Sequence, residues 1–233
     1  METWIKILSI TARWLFILCL PALLLTASLG FALNSQWLQE YGFDKYNVSH
    51  TTGLADAELE KAASGLISYF NSDEDFIDIT VIKDGQPFTL FNQQEVAHLK
   101  DVKGLVWLNY WVLLGTGIYV LLYATVSLCW LTKECWRRLA RAVIYGSGLN
   151  LGLMLVLGIM AMLDFDEFFL QFHLISFAND LWLLDPTKDY LIMLFPQGFW
   201  YDTTIFCTLL TVGFAVVLAG IAGGYLLITR RRT

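Results

Sequence analysis

The sequence predicts a mainly α-helical membrane protein. We expect a four-helix transmembrane bundle, with a small α+β extracytoplasmic cap between helices 1 and 2 and an interfacial helical segment between helices 3 and 4. The 233-residue chain is 57% hydrophobic and 15% charged, whereas soluble domains carry about 25% charged residues. Four uncharged apolar runs are long enough to cross a hydrocarbon core, which needs about 20 residues. These runs are 14–33, 105–131, 143–163 and 204–228.

The first run follows Lys6 and Arg13 and therefore resembles a signal peptide. Its apolar stretch is longer than the 7–15 residues of a typical signal sequence, and no small-x-small cleavage site ends it. We interpret this run as an uncleaved membrane anchor.

The basic residues near the ends of the runs predict the orientation. Cytoplasmic loops are enriched in Lys and Arg, and nine basic residues fall on one side: Lys6, Arg13, Lys133, Arg137, Arg138, Arg141 and 230–232. The other side holds six lysines and nineteen of the 21 acidic residues. We therefore expect a multi-pass cell-membrane protein with both termini cytoplasmic. The cap (34–104) and the interfacial segment (164–203) would lie outside.

Charge and cysteine content exclude other classes. The net charge of −6, with no basic stripe outside the short loops, excludes nucleic-acid binding. The four cysteines form no CxxC pair and none lies in the outer segments, so no thiolate metal site or disulfide framework is indicated. We expect no metal and no cofactor, and the oligomeric state stays open.

The cap contains three local signals. Apolar residues at helical spacing predict an amphipathic helix over 54–71. Asp84-Gly85, between β-branched and aromatic stretches, predicts a β-hairpin turn. Asn92 followed by Glu95 resembles a capping box, which would begin a helix that runs directly into the second span at Leu105.

The segment 164–203 is rich in Phe, Trp and Tyr but has no run long enough to span. Aromatic residues favour the membrane–water interface, so we expect this segment to lie in the outer leaflet. Within the spans, Gly148-x3-Gly152 and Gly220-x3-Gly224 predict close helix packing, within the bundle or else in a dimer. Asn150 is expected to donate to a neighbouring helix.

Of the three histidines, two draw attention. His50 stands among Ser and Thr residues and is expected at the surface. His98 shares a helix face with Asp101 and Leu105, about 10 Å above the start of the apolar run at 1.5 Å per residue. His173 lies among phenylalanines, where a buried imidazole requires a partner. His98 and His173 therefore become candidates for one shared site.

Three chemistries suit such a pair. Zinc would need further ligands, such as Asp101 and Asp180, but no HExxH spacing is present. An acyl-enzyme on Ser176 lacks a GxSxG elbow. General acid–base catalysis needs the fewest additional residues, since one imidazole accepts a proton while the other donates to an oxyanion. The amide of Asn179 could orient either ring.

Two patches carry a family resemblance. LFNQQEVAHLKDVKGL (90–105) and FHLISFANDLWLLDPTKDYLIMLFPQGFWYD (172–202) resemble the lipoprotein intramolecular transacylase Lit and the wider group of four-span bacterial membrane proteins around it. The four-span layout agrees along nearly the whole chain. The resemblance implies a transacylase that moves an acyl chain from the sn-2 glyceryl ester of a diacylglyceryl lipoprotein to the amine of its N-terminal cysteine.

The resemblance also implies roles for individual residues. The family's two important histidines correspond to His98 and His173. We expect His98 as the base and His173 as the oxyanion partner, although the roles could be exchanged. Asp101 and Asn179 would orient the two histidines without taking part in the reaction themselves. Lys100 and Lys103 could meet lipid phosphates, or could simply form a solvated interface face.

Two alternatives to the transacylase stay open. Another membrane lipid acyltransferase or esterase could use the same histidines. A non-enzymatic membrane assembly or sensor protein could instead bind a partner through the cap. The expected partners of the leading hypothesis are a diacylglyceryl-modified lipoprotein and membrane lipid.

Overall fold

The computed structural model describes residues 2–129 and 132–230. The end of the predicted second span at residues 130–131, and Arg231 and Arg232 of the basic tail, lie outside the described residues. The elements in chain order are α1 (Glu2–Leu33), α2 (Gln36–Lys45), α3 (Val48–Thr52), α4 (Asp56–Phe70), β1 (Thr80–Lys83), β2 (Gln86–Thr89), α5 (Gln93–Cys129), α6 (Lys133–Leu163), α7 (Phe165–Ser176), α8 (Tyr190–Leu194) and α9 (Gln197–Arg230). The predicted fold class is confirmed.

Four helices, α1, α5, α6 and α9, are long and apolar enough to cross a membrane. Each extends beyond its apolar run, because the helical backbone continues into polar sequence at one or both ends. The helix that contains the second run begins at Gln93, so the predicted continuity between the capping box and this run is confirmed. The span boundaries themselves stay predictions.

The chain divides into two compact units. The first comprises the described parts of Met1–Leu29, Asn109–Ile159 and Phe206–Thr233. Its apolar core joins α1, α6 and α9 through Phe16, Ile17, Leu20, Leu24, Ala142 and Ala215. Asn150 is fully buried and its Nδ2 donates to the Thr211 carbonyl at 3.5 Å, which confirms the predicted bond to a neighbouring helix.

The predicted packing of the glycine ridges within the bundle is wrong, and the dimer alternative stays open. A Cβ built at any of the four ridge glycines, at 148, 152, 220 and 224, meets no atom within 4 Å. Residues two positions apart on a helix point about 200° apart, and the buried residues are those between the ridge glycines, Asn150 and Ala222. Close approach occurs instead at Gly146, where a Cβ would lie 2.9 Å from Leu20.

The second unit comprises Gly30–Leu108 and Met160–Ile205. The predicted amphipathic helix is confirmed as α4, which buries Leu59, Ala62, Ala63, Leu66 and Tyr69. The predicted hairpin is confirmed by the antiparallel pairing of β1 and β2. Its turn residues Asp84 and Gly85 have φ values of 51° and 75°, the left-handed pair that a two-residue hairpin turn requires.

The capping box at the start of α5 is also confirmed. The Asn92 backbone N–H donates to Glu95 Oε2 at 2.7 Å, and the Glu95 N–H donates to Asn92 Oδ1 at 3.1 Å. The interfacial segment is less helical than expected. Helix α7 begins at the cap Asp164 and ends at Ser176, and residues 177–189 form an irregular stretch that we call the strap.

Candidate functional site

His98 on α5 and His173 on α7 meet in the second unit. Their ring centroids are 6.3 Å apart and their planes are inclined by 29°. Both side chains are buried, with exposed fractions of 6% and 8%. Although 75 residues separate them in sequence, the fold brings the two imidazoles within reach of one small reacting group.

The backbone of α7 fixes the tautomer of His173. Its Nδ1 lies 2.8 Å from the Phe169 carbonyl oxygen, one helical turn earlier. A carbonyl oxygen can only accept, so Nδ1 carries the hydrogen, and in the neutral ring Nε2 keeps its lone pair. Burial lowers the pKa of His173 below its usual range, while the hydrogen bond to Phe169 opposes this shift. In its neutral form His173 therefore presents Nε2 as its acceptor nitrogen.

Aromatic rings surround His173. Phe169 and Phe172 meet it edge-on, with centroid distances of 4.4 and 5.3 Å. Trp182 and Phe177, both on the strap, lie at 4.9 and 5.6 Å with more nearly parallel planes. This apolar wall explains the burial of the imidazole and the fall in its pKa.

His98 differs from His173 in its hydrogen bonding. Its Nδ1 is buried and has no hydrogen-bond partner among the described residues. The Phe177 ring stands edge-on to it at 5.0 Å, so the same phenylalanine contacts both histidines. A buried polar atom without a partner costs free energy, and the Nδ1 of His98 is such an unsatisfied atom beside His173.

The strap is tied to the first three turns of α5. Asn179 Nδ2 donates to Asp101 Oδ2 at 2.9 Å. Gln94 Nε2 donates to the carbonyl oxygens of Leu181 and Leu183, at 3.2 and 3.0 Å. Asp101 and Asn179 therefore bond to each other and fix the strap beside the histidines, and their expected orienting role stays a prediction.

The far end of the strap is held by buried carboxylates. Asn92 Nδ2 donates to Asp189 Oδ1 at 2.8 Å, and Glu95 Oε1 accepts the Leu191 N–H at 2.7 Å. Glu95 and Asp189 are only 1% and 2% exposed. The capping-box pattern indicated Asn92 and Glu95, but no pattern indicated that they also bond to Asp189 and Leu191.

The two lysines of α5 behave differently from one another. Lys103 is buried, and its ammonium donates to the Glu74 carbonyl at 2.6 Å and lies 4.2 Å from the Tyr69 ring centroid. Lys100 is half exposed and pairs with Asp75 at 3.0 Å. A lipid-phosphate contact stays a prediction for Lys100, whereas the Lys103 ammonium is already bound within the cap.

Comparison with known proteins decides the family. The family model for lipoprotein intramolecular transacylase Lit matches residues 14–200, most of the chain. The chain belongs to the Lit family. The family resemblance inferred from the two sequence patches is thereby confirmed. The Lit family is a family of membrane acyltransferases.

Solved structures of Lit from Bacillus cereus share the fold. One has a TM-score of 0.78 at 17% identity and covers 98% of this chain and all of that chain. Two others, in which a single histidine is replaced by arginine or by alanine, have TM-scores of 0.77 at 16% and 17% identity. At these identities the likeness shows the fold of Lit alone.

A relative from Aquifex aeolicus described as an uncharacterized protein is 30% identical over 135 residues. That match covers 57% of this chain and 57% of the relative. The chain thus matches little more than half the length of this curated relative, which carries no assigned activity.

Proposed function

We propose that this Lit-family protein moves an acyl chain within a diacylglyceryl-modified lipoprotein, from the sn-2 glyceryl ester to the amine of the N-terminal cysteine. His98 and His173 act as the acid–base pair. The observation that carries the proposal is the meeting of two buried histidines, one with a free acceptor nitrogen and one with an unpartnered ring nitrogen.

The hydrogen bonding favours His173 as the base, the reverse of the first expectation from the sequence. Its Nδ1–H is occupied by the Phe169 carbonyl, so Nε2 is the nitrogen that can accept a proton. The unperturbed pKa of an α-amine is about 7.7–8.0, and a neutral imidazole nearby can take its proton. His98, with Nδ1 unpartnered, donates to the carbonyl oxygen as negative charge develops on it.

The reaction balances without a covalent enzyme intermediate. The cysteine nitrogen attacks the ester carbonyl, the new C–N bond forms, and the C–O bond to the sn-2 oxygen breaks. His173 receives the proton from the amine and passes it to the departing alkoxide, so both histidines end in their starting state. Donor ester and acceptor amine belong to one molecule, so positioning can replace a nucleophilic side chain.

The surroundings of the site support a place at the outer membrane–water interface. Helix α7 and the strap expose apolar side chains next to the histidines, namely Leu170, Phe172, Leu174, Ile175 and Leu183. Such side chains favour the boundary of the hydrocarbon core. A glyceryl ester also lies at that depth, so the substrate would reach the histidines without leaving the bilayer.

The test uses a synthetic diacylglyceryl lipopeptide and the protein in phospholipid nanodiscs. Intramolecular transfer leaves the intact mass unchanged, but tandem mass spectrometry then finds the acyl chain on the N-terminal amine. An esterase would release a fatty acid and lower the mass. Another acyltransferase would move the chain to a different acceptor, and an assembly or sensor protein would leave the peptide unchanged. Each of the last three results would overturn the proposal.

The matched variants are H98Q, H173Q and H50Q. General acid–base catalysis typically contributes about 10²- to 10⁴-fold, so we expect H98Q and H173Q each to slow transfer at least about 100-fold. His50 is exposed on α3, and H50Q should retain the full rate. Unchanged rates in H98Q and H173Q would contradict the two-histidine mechanism.

A further inference from the structure

Phe177 lies 5.6 Å from His173 with the ring planes inclined by 38°, and Trp182 makes a closer contact of the same kind. Its centroid is 4.9 Å from the imidazole and the planes are inclined by 34°, whereas Phe169 and Phe172 meet the imidazole edge-on. A cation within about 6 Å of an aromatic face is attracted to it, and indole is the strongest of the natural faces. The Trp182 ring is therefore placed to interact with a positive charge on His173.

The strap is held so that this contact persists. The Gln94 amide donates to the carbonyls on both sides of Trp182, those of Leu181 and Leu183. Gln94 precedes His98 by one helical turn. The bond from Asn179 to Asp101 fixes the strap again three residues before Trp182. The indole is thus positioned by α5, the helix that carries the second histidine.

The surroundings of His173 explain why its protonated form needs an aromatic partner. Its Nδ1 is bonded to a neutral carbonyl rather than to a carboxylate, and its burial disfavours the charged ring. The histidine and charged side chains that the elements packed around it carry within the second unit are Glu95, His98, Lys100, Asp101 and Lys103 on α5, Asp180, Asp185, Lys188 and Asp189 on the strap, Asp166 and Glu167 on α7, and Asp202 on α9. Asp101 is bonded to Asn179, Asp166 to Gln197, Glu167 to Gln171, and Asp202 to Lys45 and Tyr46.

We propose that Trp182 stabilises the imidazolium that forms on His173 when it takes the proton of the substrate amine. Trp182 is then a positioning residue of the reaction, acting through His173 and not on the substrate. The inference rests on the proposed function, in which His173 is the base. The indole face offsets part of the cost of a buried charge that no carboxylate neutralises.

The sign of the effect distinguishes this role from simple packing. An aromatic face that stabilises the charged ring raises the pKa of His173, so its removal lowers that pKa further. If Trp182 only excluded water, its removal would hydrate the imidazole and raise the pKa towards its usual value. The two roles therefore predict shifts in opposite directions.

The experiment compares W182L, W182F and W200L in nanodiscs. Histidine ring resonances are followed by NMR against pH and assigned with H50Q and H98Q, while the rate of acyl transfer is measured over the same pH range. In W182L we expect the pKa of His173 to fall by about 0.5–1 pH unit. The acidic limb of the rate profile should shift to lower pH by the same amount, and the maximal rate on the plateau should drop several-fold. W182F retains an aromatic face and should show a smaller shift.

W200L is the matched control. Trp200 lies in the same unit and packs on Phe169, Phe195 and Phe199, so its loss should leave the pKa of His173 in place. A pKa of His173 that stays constant or rises in both Trp182 variants would overturn the inference and leave the proposed function standing. If that pKa falls while the acidic limb does not move, His173 is not the base, and the proposed mechanism fails together with the inference.

Discussion

At the scale of the residue, the charge state of His173 governs the chemistry. The imidazole is enclosed by aromatic rings and its Nδ1–H is bonded to a backbone carbonyl. The aromatic enclosure favours the neutral ring, and the hydrogen bond leaves Nε2 as the ring nitrogen that can accept a proton. A base of this kind stays available at a pH where an exposed histidine would already be protonated.

This charge state predicts the pH dependence of acyl transfer. Burial lowers the pKa of His173, so the neutral, active form persists below the ordinary histidine pKa of about 6.5 and is lost as pH falls through the lowered value. We expect the acidic limb of the rate profile to lie below pH 6.5. Initial rates on the lipopeptide between pH 4 and 8, divided by the fraction of unprotonated substrate amine (pKa about 7.7–8.0), measure it. A limb above pH 7 in these corrected rates would contradict the assignment of the base.

The lysines of α5 provide a second prediction at this scale. K103M removes the donor to the Glu74 carbonyl from a buried site, and leaving such a group unsatisfied costs about 1–3 kcal/mol. K100M removes only an exposed pair with Asp75, worth about 0–1 kcal/mol. Thermal unfolding in detergent should show a clear loss for K103M and little change for K100M. Equal effects would contradict the structural role of Lys103.

The sequence identified both histidines but not which of them acts as the base. His173 stood out because imidazole is costly among apolar residues, and His98 because of its helix face and its depth near the second apolar run. Neither argument needs coordinates. The proton-accepting nitrogen depends on the 2.8 Å contact with the Phe169 carbonyl, which is set by the side-chain rotamer on α7. The burial of Lys103 depends in the same way on where the loop before β1 returns to α5.

At the scale of the element, close approaches in the second unit depend on glycines that sequence patterns did not indicate. A Cβ at Gly42 of α2 would lie 2.3 Å from Cδ2 of Phe199 at the start of α9. Phe199 cannot easily move, because it is only 6% exposed and packs on Phe195 and Trp200. Gly42 therefore sets the distance between the two helices at this point.

This contact predicts opposite outcomes for two helical glycines. G42A forces Phe199 aside, which should cost about 1–3 kcal/mol for overpacking, more than the gain of about 1 kcal/mol in helix propensity. A Cβ at Gly104 of α5 meets nothing within 4 Å, so G104A should be neutral or stabilising. Thermal unfolding of both variants in detergent checks this. A G42A protein as stable as G104A would contradict the close packing.

Elements with strong local signals were predictable and those decided by tertiary contacts were not. The Asp84-Gly85 turn and the Asn92–Glu95 box act within a few residues, and both form as expected. Helices α2 and α3 were missed, since their apolar residues show no clear helical period. The strap was expected to be more helical, but its polar side chains and carbonyls bond to α5 instead.

At the scale of the whole molecule, the charge distribution supports one orientation. Nineteen of the 21 acidic residues fall in the cap and the interfacial segment, while nine of the fifteen basic residues flank the other ends of the four runs. Basic residues are retained on the cytoplasmic side. We propose that the histidine site faces outside, the side on which a mature lipoprotein is anchored.

Cysteine labelling tests this orientation directly. In a variant whose four native cysteines are replaced by alanine, D84C places a thiol at the exposed hairpin turn, and E134C places one at the exposed start of α6. A membrane-impermeant maleimide should label D84C in intact cells, because the turn lies outside. E134C should react only after the membrane is permeabilised. The opposite pattern would reverse the topology and place the two histidines on the cytoplasmic side, where the proposed lipoprotein substrate could not reach them.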